Sequence, residues 1–178
     1  MAWIPACRRA ARILQFVGVA MVSTAPGVMA QKALLLAATP ATISFVANNP
    51  GSNITGSASA SVTFSMTTTG HNPWTLKVGS AATTFTGCAT VPTSAVSVTC
   101  SSATIAGNAH GATAACSVGS FTTLPGSIPG LQVANGLEPS SFSLGVPFTI
   151  ILNYRLADSW AFVANTCPLT LTYTVTAP

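Results

Sequence analysis

Leu169-Thr170-Leu171-Thr172-Tyr173-Thr174-Val175-Thr176 alternates without a fault. Leu169, Leu171, Tyr173 and Val175 share one parity, and four threonines share the other. Successive side chains of a β-strand point to opposite faces, so this stretch predicts a strand with one apolar and one polar face. The same grammar recurs upstream. Phe148, Ile150, Leu152, Tyr154 and Leu156 alternate with Thr149, Asn153 and Arg155. Val96, Val98 and Cys100 share a parity, as do Trp74, Leu76 and Val78, and Val62, Phe64 and Met66 within residues 57–66. Ile43 and Phe45 alternate with Thr42 and Ser44.

Turn chemistry separates these runs. Asn48-Asn49-Pro50-Gly51-Ser52-Asn53, Gly70-His71-Asn72-Pro73 and Asn165-Thr166-Cys167-Pro168 combine residues that tolerate positive φ with residues that fix it. Residues 101–147 are richer in Gly, Ser, Ala and Pro. They read as long connections with short strands near 115–118 and 142–144. Helical periodicity is confined to a weak trace at residues 32–38 (KALLLAA), which also reads as a strand or the tail of an export signal. Short strands at roughly ten-residue spacing predict an all-β, Ig-like antiparallel β-sandwich, two sheets closed on their apolar faces.

The N-terminus follows other rules. Arg8, Arg9 and Arg12 precede an apolar run at residues 13–22, then Ser23-Thr24-Ala25-Pro26-Gly27, then small residues ending at Ala30. That is the layout of a secretory signal peptide over residues 1–30, with alternative cuts near Ala37 or Ala38. The apolar run falls short of the ~20 residues a membrane span requires, so no span is expected after processing. Residues following Arg8-Arg9 do not support a twin-arginine signal. Residues 31–178, about 150 positions, suit a single domain.

Of five cysteines, Cys7 leaves with the leader. Cys88, Cys100, Cys116 and Cys167 remain, an even number in a secreted chain, which predicts two disulfides. Their spacing contains no C-x-x-C pair, so a metal site is not expected. Three pairings are open. Cys88–Cys100 with Cys116–Cys167 is preferred, because the first bond closes a short local loop.

Charge excludes several functions. The formal net charge is +4 and charged residues make up 4% of the chain, but three of its six basic residues lie in the leader. Lys32, Lys77 and Arg155 then face Glu138 and Asp158 alone. No basic patch exists to neutralise phosphates, so nucleic acid is not an expected partner. Catalysis is not expected either. Glu138 lies in a turn-like Gly136-Leu137-Glu138-Pro139, unsuited to pairing with Asp158 across a sugar. No G-x-S-x-G occurs, and His71 and His110 lie in Gly-flanked loops. His71, His110 and Asp158 read as separate surface residues rather than metal ligands, and no cofactor is expected. Asn53-Ile54-Thr55 matches a glycosylation acceptor, although a turn suffices to explain it.

Trp74 belongs to the core by its parity with Leu76 and Val78. The alternative is a sugar-ring platform, as in a carbohydrate-binding module. Trp74-Thr75-Leu76 is also a W-x-L tripeptide, and the chain ends Leu171-Thr172-Tyr173-Thr174-Val175-Thr176-Ala177-Pro178. This resembles the WxL surface domain family. Its members carry one such tripeptide internally and another near the C-terminus, in a setting like L-T-W-x-L with a nearby Pro. Tyr173 stands where the second Trp would be and Val175 where the Leu would be, and the disulfides lie outside that pattern. The resemblance implies non-covalent attachment to a bacterial cell wall or surface polymer, with Trp74 and Tyr173 as wall or glycan contacts.

The chain is also similar to secreted, disulfide-bonded subunits of chaperone–usher pili and spore-coat-U-like proteins. These end in an alternating strand and assemble by donating an N-terminal strand to a neighbour's incomplete sheet. That similarity implies neighbouring copies as partners, with residues 32–46 as donor. Taken together, the sequence predicts a secreted, non-catalytic surface or extracellular structural protein.

Overall fold

The computed structural model describes residues 12–20, 35–47, 49–66, 70–140, 145–162 and 167–177, the first of these as backbone. Its strands are β1 (Arg12–Ala20), β2 (Leu35–Thr39), β3 (Thr42–Ala47), β4 (Asn53–Thr55), β5 (Ala60–Met66), β6 (Pro73–Gly79), β7 (Thr84–Phe85), β8 (Cys88–Pro92), β9 (Val96–Ile105), β10 (Thr113–Cys116), β11 (Thr122–Thr123), β12 (Leu131–Leu137), β13 (Val146–Ala157) and β14 (Cys167–Thr176). The antiparallel β-sandwich is present. One sheet runs β10-β12-β6-β14-β1-β3 and the other β11-β9-β13-β5-β2, with β4 extending alongside β13 and β7-β8 forming a small separate ribbon. Among the described strands a single pairing, β1 with β14, is parallel.

The alternating runs become the core. β13 buries Val146, Phe148, Ile150, Leu152, Tyr154 and Leu156 without interruption. β5 buries Val62, Phe64 and Met66, and β6 buries Trp74, Leu76 and Val78. Phe64 and Phe148 are cross-strand partners on β5 and β13, with rings stacked at 5.0 Å. Trp74 from the opposite sheet meets both edge-on, at 5.1 and 5.2 Å. Such pairs contribute ~0.5–1.5 kcal/mol each beyond their buried area. Among the described residues, the indole Nε1 has no hydrogen-bond partner. That omission costs ~1–3 kcal/mol, which the aromatic contacts and buried area of a fully enclosed Trp offset.

Several expectations need correction. The threonine face of β14 is not wholly wet: Thr170 and Thr176 are exposed, but Thr172 and Thr174 are buried. β14 is an interior strand with neighbours on both edges, so its middle is covered on both sides. Residues 101–147 contain more strand than expected. β9 runs on to Ile105, and β10, β11 and β12 follow. β12 is hard to read because its register with β6 shifts between Gln132 and Ala134, so that Val133 and Ala134 are both buried and alternation fails. The short strand expected at 142–144 lies outside the described residues. Residues 35–39, the end of the KALLLAA stretch and just beyond it, form β2.

The disulfides join Cys88 to Cys167 and Cys100 to Cys116, with Cα separations of 5.8 and 5.5 Å. The expected pairing of Cys88 with Cys100 and Cys116 with Cys167 is therefore wrong. The chain doubles back after β9 through Gly107 and Gly111, both at positive φ, and lays residues 116–118 beside Cys100. Cys100 N–H donates to Val118 C=O at 2.9 Å. Cys88, on the separate ribbon, meets the start of β14 instead.

Residues 13–22 carry the apolar run of the export-signal layout. In the full chain, part of that run forms β1 and enters a sheet.

Candidate functional site

The place where β1 sits is the most unusual feature of the sandwich. β14 contributes one wall. Cys167, Leu169, Leu171, Tyr173 and Val175 are buried along its inner face. β3 contributes the other wall, with Ile43 and Phe45 buried. Gly56 makes room for these two, because a Cβ there would lie 2.6 Å from Ile43 Cγ2 and 3.4 Å from the Phe45 ring. On the outer edge of β3, Ser44 N–H donates to the Ser57 hydroxyl and Ser44 C=O accepts from Ser57 N–H, both at 2.9 Å. Neighbouring residues of a strand direct their backbone groups to opposite edges, so the groups of Ile43 and Phe45 face β1.

β1 closes the space between these walls. It runs parallel to β14, from Leu14 level with Cys167 to Ala20 level with Tyr173. It runs antiparallel to β3, from Arg12 level with Ala47 to Val17 level with Thr42. β6, on the other side of β14, is level only with Thr172 to Thr176. The leading half of β14, residues 167–171, therefore takes its ladder partner from β1. Its opposite flank is held by the Cys88–Cys167 disulfide and by Thr86 N–H donating to Pro168 C=O at 2.8 Å.

Behind the inner wall, the Tyr154 and Tyr173 hydroxyls meet at 2.9 Å, linking β13 to β14 across the core. Burial pushes both phenols upward, Tyr154 well above its ordinary value with Tyr173 adding to the shift, and Tyr173 to about 12. Both tyrosines stay neutral at any physiological pH.

The structure places the other sequence candidates as follows. Trp74 is fully enclosed, as its parity implies, and Tyr173 is buried beside Tyr154. Neither offers a face to a wall polymer or glycan, so their assignment as contacts is corrected: both are core residues. Among the described residues, the exposed large aromatic is Trp160, at 79%. No alternation surrounds it, and the sequence does not single it out.

His71 and His110 adopt left-handed φ of 51° and 46°. His71 Nδ1 lies 3.2 Å from Glu138 C=O. Asn72 Nδ2 donates to Glu138 Oε2 at 3.3 Å, and Ser140 donates to His110 C=O through both N–H and hydroxyl at 2.8 Å. Glu138 is fully buried in this seam. Asp158 holds a different set of turns, accepting from Asn49 N–H at 3.0 Å and Ser159 N–H at 2.8 Å. The two acids thus tie separate loops and do not face each other as a pair. Among the described residues, no cluster of three or more His, Cys, Asp or Glu side chains is placed to hold a metal ion. Asn53-Ile54-Thr55 forms β4 rather than a turn. Among the described residues, no helix is long and apolar enough to cross a membrane.

No protein-family model and no curated protein matches the chain.

Proposed function

We propose that this chain is an exported, non-catalytic structural subunit of a bacterial surface or extracellular layer, and that its sandwich is completed by a strand inserted between β3 and β14. A single observation carries this. The strand that fills that position is drawn from the stretch whose composition is that of an export leader. Removal of residues 1–30 takes β1 away. It uncovers the inner face at Leu169, Leu171, Tyr173, Ile43 and Phe45, and leaves the facing backbone groups of both walls without partners. An open strand edge beside an apolar trough is the arrangement that accepts an added strand. A surface of Thr, Ser, Asn and Gly with almost no charge suits a chain fixed in a layer. The two disulfides suit an oxidising compartment. The W-x-L tripeptide contributes to the core, which favours its role as a fold element over that of a wall ligand. A carbohydrate module built on Trp74 lacks its exposed ring.

The test is hydrogen exchange on oxidised residues 31–178, with and without a synthetic peptide of residues 12–20. Amides of 167–171 and 42–47 are expected to exchange quickly alone and slowly with the peptide. Full protection of both segments in the isolated monomer would show a closed sandwich and overturn the proposal.

A further inference from the structure

Resting on the strand-insertion reading above, we infer that the inserted strand comes from a different polypeptide, so that this chain accepts a strand without donating its own N-terminal one.

The N-terminal segment is already used. Residues 32–46, which sequence similarity nominates as donor, are largely built into the body. β2 pairs with β5, from Leu35 level with Ser65 to Thr39 level with Ser61, and Leu36 is buried. β3 is itself a wall of the groove, with Ile43 and Phe45 in the core. A neighbour that received these residues would receive them from a subunit whose own acceptor site had been dismantled. What remains after a cut at Ala30 is residues 31–34. Four residues reach roughly 14 Å fully extended. The nine residues of β1 span roughly 30 Å, and a donor also needs linker to leave its own subunit. A cut near Ala37 or Ala38 would remove part of β2 and leave still less. With its N-terminal segment built into its own body, such a chain takes the missing strand from a partner of another kind.

The walls state the chemistry of the partner. Four alternate register positions matter: those level with Phe45 and Cys167, with Ile43 and Leu169, with Leu171, and with Tyr173. In the full chain, Leu14, Phe16, Gly18 and Ala20 occupy them, two large apolar residues followed by two small ones. The intervening positions stand level with Pro168, Thr170 and Thr172 of β14, none of them charged. The fitting partner is an extended segment with that large-large-small-small order at alternate positions, running parallel to β14, with no charge requirement between them.

The experiment uses oxidised residues 31–178 and a peptide of residues 12–20 flanked by lysines for solubility. Light scattering reports self-association, and fluorescence anisotropy of the labelled peptide reports uptake. The expected result is a monomer at all concentrations that takes up one peptide per chain. The peptide variant F16D should bind at least roughly tenfold more weakly, a loss of 1.4 kcal/mol or more, and Q15K should bind as the parent. If residues 31–178 polymerise unaided while still taking up the peptide, strand insertion stands and the inference of a foreign donor falls. If the monomer takes up no peptide, strand insertion itself fails and the inference falls with it.

Discussion

Loss of the Cys88–Cys167 bond should cost more than loss of Cys100–Cys116, and should act at a particular place. The two bonds close loops with sequence separations of 79 and 16 residues. In the chain-entropy treatment, restricting the unfolded chain over those lengths contributes about 4.5 and about 3.1 kcal/mol at 25 °C. Alanine replacements are the appropriate perturbation, because a serine at buried Cys88 or Cys167 would add a hydroxyl in need of a partner. For a domain of this size ~1 kcal/mol moves the midpoint by ~2–4 °C. C88A/C167A should therefore melt ~9–18 °C below the parent, and C100A/C116A ~6–12 °C below it. Urea unfolding measures the free energies directly. The bond also braces residues 167–171, which β6 does not reach. In C88A/C167A the amides of that half-strand should exchange faster than global unfolding explains, and in C100A/C116A they should not. A larger loss in C100A/C116A would refute the reasoning, as would peptide mapping that recovers Cys88 joined to Cys100.

Tyr154→Phe and Tyr173→Phe should each cost ~1–3 kcal/mol by taking a hydrogen-bond partner from a buried hydroxyl. The double variant should cost clearly less than the sum, and additive losses in a double-mutant cycle would contradict the pairing. The same tyrosines set an alkaline limit. Their folded pKa values lie above the ordinary 10 of the unfolded chain, so their contribution is complete below pH 10 and is lost as pH rises above it, through about 12 for Tyr173. Stability should fall there by up to about 1.4 kcal/mol per pH unit for each tyrosine, and Tyr173→Phe should flatten the decline in a pH series of urea melts. Gly136→Ala should destabilise by roughly 3 kcal/mol, since a Cβ would collide with Thr113 C=O and stand 2.8 Å from Trp74 Cζ2. Wild-type stability in that variant would show that β10 moves aside freely.

The strands that the sequence displays openly are those with one strict face. β5, β6, β13 and β14 alternate because each packs its apolar parity against the opposite sheet, and a period-two apolar face is what side-chain pattern records, even where, as at Thr172 and Thr174, the other parity is covered as well. Elsewhere the pattern fails for identifiable reasons. β12 shifts register and buries adjacent residues. β9 carries a bulge, since Cys100 is level with Leu152 and Ser102 with Ile151, which leaves Ser101 between them. Disulfide pairing does not follow loop length here, because the shortest loop in sequence is not the closest approach in space. The place of β1 between β3 and β14 was not legible from pattern. A strand's composition shows that it will be half-buried, but not which neighbour lies on its edge, and the apolar run at residues 13–22 carries the same residue types whether it serves export or fills a sheet.

The scarcity of charge on this sandwich has a kinetic meaning. Both carboxylates among the described residues are buried, and Arg155 lies 3.8 Å over the Phe121 ring instead of standing out in solvent. A molecule with so faint a field cannot draw a counterpart from a distance. Encounters then proceed at the unsteered pace of ~10⁵–10⁶ per molar per second, indifferent to ionic strength. Under the proposed strand insertion, selectivity would rest on shape and main-chain complementarity alone. An assembly made this way would hold as firmly in brine as in fresh water.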